Sequence, residues 1–297
     1  MRSDARPLLE VQGLEMRFKM KRKSILGPKS DDVIAVDGVD LSIGGGEVLG
    51  LVGESGSGKS TLGRCIIGIH TPTGGSILYR ERGGDVKDVV QSSVHERRKI
   101  QRDIRMIFQD PFSSLNPRMT LQQIVGDPLQ ATGAVRGSEL EDRVAEMLRR
   151  VGLEPGHMRR YPHAFSGGQR QRINIARALI VEPRLVIADE AVSALDVSIR
   201  SQVLDLLAEL RADLDLTFLF ISHDLSVVEA VCDRVAVMYL GRIVETDATQ
   251  ALYEDPRHPY TRALLSAVPI PDPRMRGTRE RSILPEGHLY PTAPVER

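Results

Sequence analysis

Tryptophan is absent from the sequence, aromatic residues make up 4% of it, and cysteine occurs only twice. Cys65 and Cys232 lie far apart and in no CxxC spacing, which excludes a disulfide framework and a cysteine-rich metal site. A surplus of either charge is also missing: 40 Lys and Arg stand against 40 Asp and Glu, a formal net charge of zero. A protein whose main affinity is for the nucleic-acid backbone carries a basic surplus, so that class is disfavoured, although a local patch is compatible with the balance. Long hydrophobic runs are lacking too. The longest, LTFLFI (216–221) and VAVMYL (235–240), fall far short of the ~20 residues that a spanning helix needs. The opening MRSDARPLLE has no apolar stretch behind its first arginines, so no secretory signal is expected. These absences together predict an intracellular protein that does not cross a membrane by itself.

What is present suits an ordinary globular chain. Its 297 residues, 41% hydrophobic and 27% charged, suffice for one large domain or two modest ones. Strand and helix patterns alternate, which predicts an α/β sheet. Residues 8–14, 39–43, 47–52, 104–108, 185–188 and 217–222 read as strands. A glycine-rich turn after 47–52 leads into a helix over about 58–69, and Pro72 with Gly74-Gly75 punctuates its exit. Between the first two strands lies a basic, turn-rich stretch, 19–29 (KMKRKSILGPK), read as a solvated loop. From about 112 to 165 strand signals thin out, and a helix is predicted at 138–151, opened by a Ser138/Glu141 capping box. Val144, Met147, Leu148 and Val151 give it one apolar face. A second helix presents Val203, Leu206, Leu207, Leu210 and Leu214 on one face, and a hairpin is expected around Gly241-Arg242. The last ~25 residues, rich in proline and arginine, read as a poorly ordered tail.

Gly53, Glu54, Ser55, Gly56, Ser57, Gly58, Lys59 and Ser60 fit GxxxxGK[ST], placed between an apolar strand and a helix. Glycines let the backbone curl so that successive N–H groups face phosphate oxygens, and the helix N-terminus adds its dipole. Lys59 is expected to reach the β- and γ-phosphates, Ser60 to ligate Mg²⁺, and Thr61 to complete the loop. Glycine-rich turns join strands to helices in many folds, but lysine and serine in register make this a nucleoside triphosphate site. Downstream, the apolar strand of RLVIADE ends on Asp189 and Glu190. Asp189 is placed to hold Mg²⁺, and Glu190 to polarise the water that attacks the γ-phosphate. Phe165-Ser166-Gly167-Gly168-Gln169 then offers a second anion cradle at a helix start. One nucleotide does not need two cradles, unless the second closes over the nucleotide of a partner subunit.

At this point the sequence resembles the ATP-binding cassette (ABC) ATPases, whose LSGGQ signature is written FSGGQ here. The resemblance implies a P-loop NTPase (RecA-like) α/β core with an inserted helical subdomain and a short C-terminal appendage. Gln109, in IFQDP, resembles the Q-loop glutamine that touches Mg²⁺ and the transmembrane partner. Ser193–Asp196 resembles the D-loop, which puts Asp196 at the dimer interface near nucleotide, and His223, in FISHD, resembles the switch histidine that contacts the γ-phosphate. Phe18 is the candidate for the aromatic that stacks on adenine, with an ordinary strand role the competing reading. Ala191 stands where the family commonly has proline, which affects loop stiffness more than chemistry.

The segments AVDGVDLSI, GESGSGKSTLGR, DPFSSLNPRMT, RYPHAFSGGQRQR and Arg257-His-Pro-Tyr-Thr261 look like ATPase subunits of oligopeptide and dipeptide importers, the second of a pair. The implied layout is an ABC ATPase domain over 1–255, its helical subdomain at about 112–165, and a partly disordered importer-type extension over 256–297. Many relatives carry cysteines in that extension. None follows Cys232 here, so no iron–sulfur site is expected. By resemblance the cofactors are ATP and Mg²⁺. The partners are a second ABC ATPase subunit, identical or different, two membrane permeases and an extracytoplasmic solute-binding protein, with no nucleic acid. The expected location is peripheral, on the cytoplasmic face of the cell membrane. The competing reading, a soluble ABC ATPase of DNA repair or translation, wants a long coiled-coil or zinc insertion between P-loop and signature, or a second cassette. This sequence has neither.

Overall fold

The computed structural model describes residues 6–19, 32–110, 114–133, 135–267 and 295–296. In chain order the elements are β1 (Leu9–Phe18), β2 (Val33–Ile43), β3 (Val48–Val52), α1 (Lys59–Ile66), β4 (Gly74–Arg80), β5 (Val86–Asp88) and α2 (Val94–Asp103). They continue as β6 (Ile104–Ile107), α3 (Leu121–Gln130), α4 (Ser138–Arg150), α5 (Gly167–Leu179), β7 (Leu185–Asp189), α6 (Val197–Leu214) and β8 (Thr217–Ile221). The chain closes with α7 (Leu225–Val231), β9 (Arg234–Tyr239), β10 (Arg242–Ala248), α8 (Thr249–Glu254), α9 (Pro259–Ser266) and the two-residue β11 (Val295–Glu296). All but the first residue of the basic 19–29 stretch, and nearly all of the expected tail, lie outside the described residues.

These elements group into two compact units, one drawn from 1–97 and 220–297, the other from 98–219. In the first unit, β1 pairs antiparallel with both β2 and β4, and β5 extends the sheet in the order β2-β1-β4-β5. The register Leu9↔Ile43 and Val11↔Leu41 puts buried residues opposite one another. That unit also holds β11-β10-β9-β3, with β3 parallel to β9. Every residue of β3 is buried, which explains why VLGLV shows no alternation: a strand covered on both faces reads as a continuous apolar run. The β9–β10 hairpin turns at Leu240 (φ 46°) and Gly241 (φ 85°), two left-handed residues whose twist suits a two-residue loop.

In the second unit β6 and β7 pair parallel, and β8, from Thr217 to Leu219, lies beside β7. Its remaining elements are helical, and no strand lies between Ile107 and Leu185 among the described residues. The predicted face of α4 is buried at Val144, Met147 and Leu148, with Val151 just beyond its end. On α6, Val203, Leu206, Leu207 and Leu210 are buried, whereas Leu214, in the last turn, is half-buried.

Three expectations need correction. Ser138 does not cap α4: Gly137 holds that position, and no side chain among the described residues caps the helix. The chain turns one residue earlier than the pattern suggests, and Glu141 instead accepts a hydrogen bond from Gln122 Nε2 at 3.0 Å. Capping boxes form at Thr120/Gln123 and Ser166/Gln169. Gly74-Gly75 does more than leave a helix, because it begins β4, where Gly74 pairs with Glu15. The helix after the P-loop ends at Ile66, short of 69.

Both cysteines are buried, as small apolar residues would be, and burial pushes the Cys65 thiol up to about 12. The native protein is therefore expected to resist thiol-labelling reagents at both positions and to react fully only in denaturant. Because the folded value of Cys65 exceeds its ordinary 9.0, the unfolded chain ionises first as pH rises. Stability present below pH 9 is then lost toward 12. Thermal unfolding at neutral pH and near about pH 10 measures this, and Cys65→Ala should shrink the alkaline loss. Rapid labelling of Cys65 in the native state would contradict the assignment.

Candidate functional site

The first unit carries the glycine-rich loop. Val52 ends β3, the loop runs over 53–58, and α1 opens at Lys59 with Leu62 N–H donating to Gly58 O at 2.9 Å. Gly58 sits at φ 108°, and a Cβ there would meet Ala35 O at 2.1 Å, so no side chain fits. Lys59 is 4% exposed and bends back over the loop. Its ammonium donates to Gly53 O at 2.8 Å, Glu54 O at 2.7 Å and Ser57 Oγ at 3.2 Å. A buried cation seated by carbonyl and hydroxyl dipoles is fixed in place to meet an anion. The loop is braced by the β9–β10 hairpin: Gly241 N–H donates to Ser57 O at 3.0 Å, and Asp37 N–H donates to Gly241 O at 2.9 Å. Arg242 Nε donates to Asp37 Oδ2 at 2.8 Å, tying hairpin and β2 together. Ser55 and Gly56 are exposed, while Ser60 and Thr61 on the first turn of α1 are half-buried.

His223 belongs to the same unit. It follows β8 and is exposed, in a turn fixed by Asp224 N–H donating to Ser222 Oγ at 2.9 Å and by Ser222 N–H donating to Leu51 O at 3.2 Å. Phe18 ends β1, 37% exposed, with its ring edge-to-face to His70 at 5.4 Å.

The second unit carries the carboxylates. Asp189 closes β7 at 2% exposure, and Glu190 follows in the left-handed region at φ 48°. A bulky residue in that region is strained and must be held by its surroundings. Ser193 supplies the hold, its N–H and Oγ both donating to Glu190 O, at 3.1 and 2.9 Å. The Glu190 carboxylate is oriented separately, by Gln109 Nε2 donating to Oε2 at 2.6 Å. The structure thus joins two residues 81 apart that the sequence analysis assigned separately. Asp196, exposed, stands at the N-cap of α6.

The FSGGQ segment forms the start of α5. Ser166 Oγ accepts from Gln169 N–H at 3.3 Å, while Gln169 Oε1 accepts from Ser166 N–H at 3.0 Å. Gly168 lets α6 come close: a Cβ there would meet Ile199 Cγ2 at 2.5 Å. Sequence reading missed what α5 does further along. Ser114 Oγ donates to Asn174 Oδ1 at 3.0 Å, and Arg177 Nη1 donates to Ser114 O at 2.6 Å. Burial, with Arg105 nearby, lowers the Arg177 guanidinium from its ordinary value. Polar residues on the inner side of the helix, Gln171, Asn174 and Arg177, were the available signal.

Among the described residues no cluster of three or more His, Cys, Asp or Glu side chains could hold a metal by itself. The candidate donors, the Ser60 hydroxyl, the Gln109 amide oxygen and the Asp189 carboxylate, are all hard oxygens. Oxygen donors of this kind suit Mg²⁺, which is held largely by substrate phosphates and water. Also among the described residues, no helix is long and apolar enough to cross a membrane.

Residues 36–193 match the ABC transporter family, and residues 244–290 match the oligopeptide/dipeptide transporter C-terminal region. The oligopeptide transport ATP-binding protein AppF of Bacillus subtilis is 50% identical over 277 residues, covering 93% of this chain and 83% of AppF. The glutathione import ATP-binding protein GsiA of Escherichia coli O6:H1 is 50% identical over 270 residues, which cover 91% of this chain but 42% of GsiA. A dimeric ATP-binding cassette solved in a post-hydrolysis state with ADP and Pi superposes with a TM-score of 0.69 at 29% identity, covering 81% of this chain and 98% of that one. The stretch matched over 36–193 contains the loop that Lys59 spans and the Gln109–Glu190 pair, and this chain belongs to the ABC transporter family.

Proposed function

We propose that this chain is the ATP-hydrolysing subunit of an importer for peptides or chemically related small solutes, working at the cytoplasmic face of a membrane with two permeases. The observation that carries the reading is the pairing, in one chain, of an ABC cassette with the oligopeptide/dipeptide transporter C-terminal region. ATP binds on the P-loop, where N–H groups and Lys59 take up phosphate charge. The Ser166–Gln169 segment of a second ATPase subunit closes over it. Mg²⁺, when bound, neutralises phosphate charge, and Ser60, Gln109 and Asp189 are the residues that would hold it. Glu190 accepts a proton from water as the water oxygen bonds to the γ-phosphorus and the β–γ bridging oxygen leaves with ADP. His223 steadies the γ-phosphate, Asp196 lies in the segment facing the partner, and Phe18 stacks on adenine.

Coupling to the permeases has a mechanical basis. Gln109 holds the Glu190 carboxylate, and a few residues later Ser114 is fastened to α5 through Asn174 and Arg177. A permease that shifts this stretch therefore acts on both the general base and the helix that begins at the signature.

The test is fractionation and transport. The chain should sediment with membranes only when co-expressed with its permeases, and ATP-dependent uptake of short peptides should need all of them together. Stable binding to protein-free lipid vesicles would count against this arrangement and would redirect attention to the basic 19–29 stretch. ATP hydrolysis without any permease association would favour the soluble ATPase reading.

A further inference from the structure

The Gly53–Glu54 peptide of the P-loop is held at both polar ends. Its carbonyl, Gly53 O, accepts from Lys59 Nζ at 2.8 Å. Its N–H, on Glu54, donates to the hydroxyl of Tyr260 at 2.9 Å, from 206 residues further along the chain. The hydroxyl thereby fixes the plane of the peptide whose oxygen seats the phosphate-reading lysine.

Tyr260 is itself firmly placed. It lies in α9, 1% exposed, with its ring stacked on Tyr239 at 4.1 Å and 28°. Tyr239 is the last residue of β9, next to the turn whose Gly241 N–H donates to Ser57 O. The entry to α9 is pinned by Glu245, a buried residue whose carboxylate accepts from Arg257 N–H at 2.8 Å and His258 N–H at 3.0 Å. His258 Nδ1 then accepts from Tyr260 N–H at 3.2 Å. Burial raises the Tyr260 hydroxyl to about 12, so it stays neutral across the physiological range.

We propose that Tyr260 is a positioning residue for nucleotide binding, through which the C-terminal segment sets the orientation of the Gly53–Glu54 peptide and hence of Lys59. The assignment rests on the P-loop being the triphosphate site. Without the hydroxyl, the peptide is free to rotate, and its carbonyl no longer seats the lysine in one place. Lys59 and its charge remain in the loop and are seated by the phosphates once nucleotide is bound, so the loss falls on affinity and leaves turnover at saturation in place.

The experiment uses the full chain, with binding of a fluorescent methylanthraniloyl-ATP, steady-state hydrolysis, and the unfolding midpoint without nucleotide. Tyr260→Phe keeps the stacked ring and removes the hydroxyl. It should raise both the Kd for the analogue and the KM for ATP by about three- to ten-fold, with kcat within about two-fold. Thr261→Val is the companion, because its fully buried hydroxyl has no hydrogen-bond partner among the described residues and sits one residue along the same helix. It should leave nucleotide affinity unchanged. An unaltered Kd in Tyr260→Phe overturns the proposal, and so does a rise in Thr261→Val as large as that in Tyr260→Phe. Lys59→Ala, measured in parallel, separates the two levels. Parent-like affinity in Lys59→Ala removes the triphosphate site and Tyr260's role with it, whereas loss there beside parent-like affinity in Tyr260→Phe removes only the latter.

Discussion

Glu190→Gln is expected to cut ATP turnover by about 100-fold or more while leaving nucleotide bound. The local frame should survive the change. Backbone strain at φ 48° is already met by Ser193, whose N–H and Oγ grip the carbonyl of residue 190 rather than its side chain. Glutamine keeps an oxygen that can accept from Gln109 Nε2, as Glu190 Oε2 now does at 2.6 Å. What disappears is the negative charge and the capacity to take a proton from water. ATP should then persist as a bridge between the P-loop of one subunit and Ser166–Gln169 of the next, and a ligand that binds only the closed form shifts the population toward it. Sedimentation with and without Mg-ATP should show a nucleotide-dependent dimer, abolished by Ser166→Arg in the same background. A dimer that persists despite Ser166→Arg would refute the sandwich. A monomer with bound ATP would instead point to a different ATPase as obligate partner, and the same measurement on the mixture would then show the complex.

How much of this was legible in the sequence depended on distance along the chain. The strand, glycine turn and helix around Lys59 are contiguous, so residue spacing alone located them. The same holds for β7 with its terminal carboxylates, and for the face of α4. Contacts that depend on folding were not legible. Gln109 and Glu190 were each assigned a role, but nothing in the sequence says that one amide holds the other's carboxylate. Tyr260 read only as part of a C-terminal appendage, because its contact with Glu54 spans 206 residues. Local signals also misled where two chemistries compete for one position. Ser138 and Glu141 satisfy the capping-box pattern, but Gly137 took the turn. The box at Thr120/Gln123 opens a helix whose interior Pro128 weakens the helical pattern in the sequence. Gly74-Gly75 reads as punctuation because glycine weakens a strand signal, although β4 begins there.

Lys59→Ala should abolish measurable hydrolysis and weaken triphosphate binding. Lys59 is 4% exposed, and its ammonium donates to Gly53 O, Glu54 O and Ser57 Oγ. They fix the ammonium in one place over the loop, where it can take up phosphate charge. In a site shielded from water such a fixed cation is worth much more than the same charge at the surface. Removing one preorganised donor to developing charge typically costs about 10²–10³ in rate, and loss of a full charge belongs at the upper end. Folding should suffer less, because taking away a buried charge also removes its desolvation cost, and water can reach the carbonyls that lose their donor. The unfolding midpoint without nucleotide is therefore expected to move little, which distinguishes a binding defect from a collapsed loop. Lys59→Arg provides the sharper control. It restores the charge, but a planar guanidinium cannot take up the compact, three-way seat that an ammonium fills among two carbonyls and a hydroxyl. If charge alone mattered, arginine would recover most of the turnover. If the seat matters as well, phosphate release by Lys59→Arg should stay close to that of Lys59→Ala. Unchanged turnover in Lys59→Ala itself would remove the phosphate role from this loop.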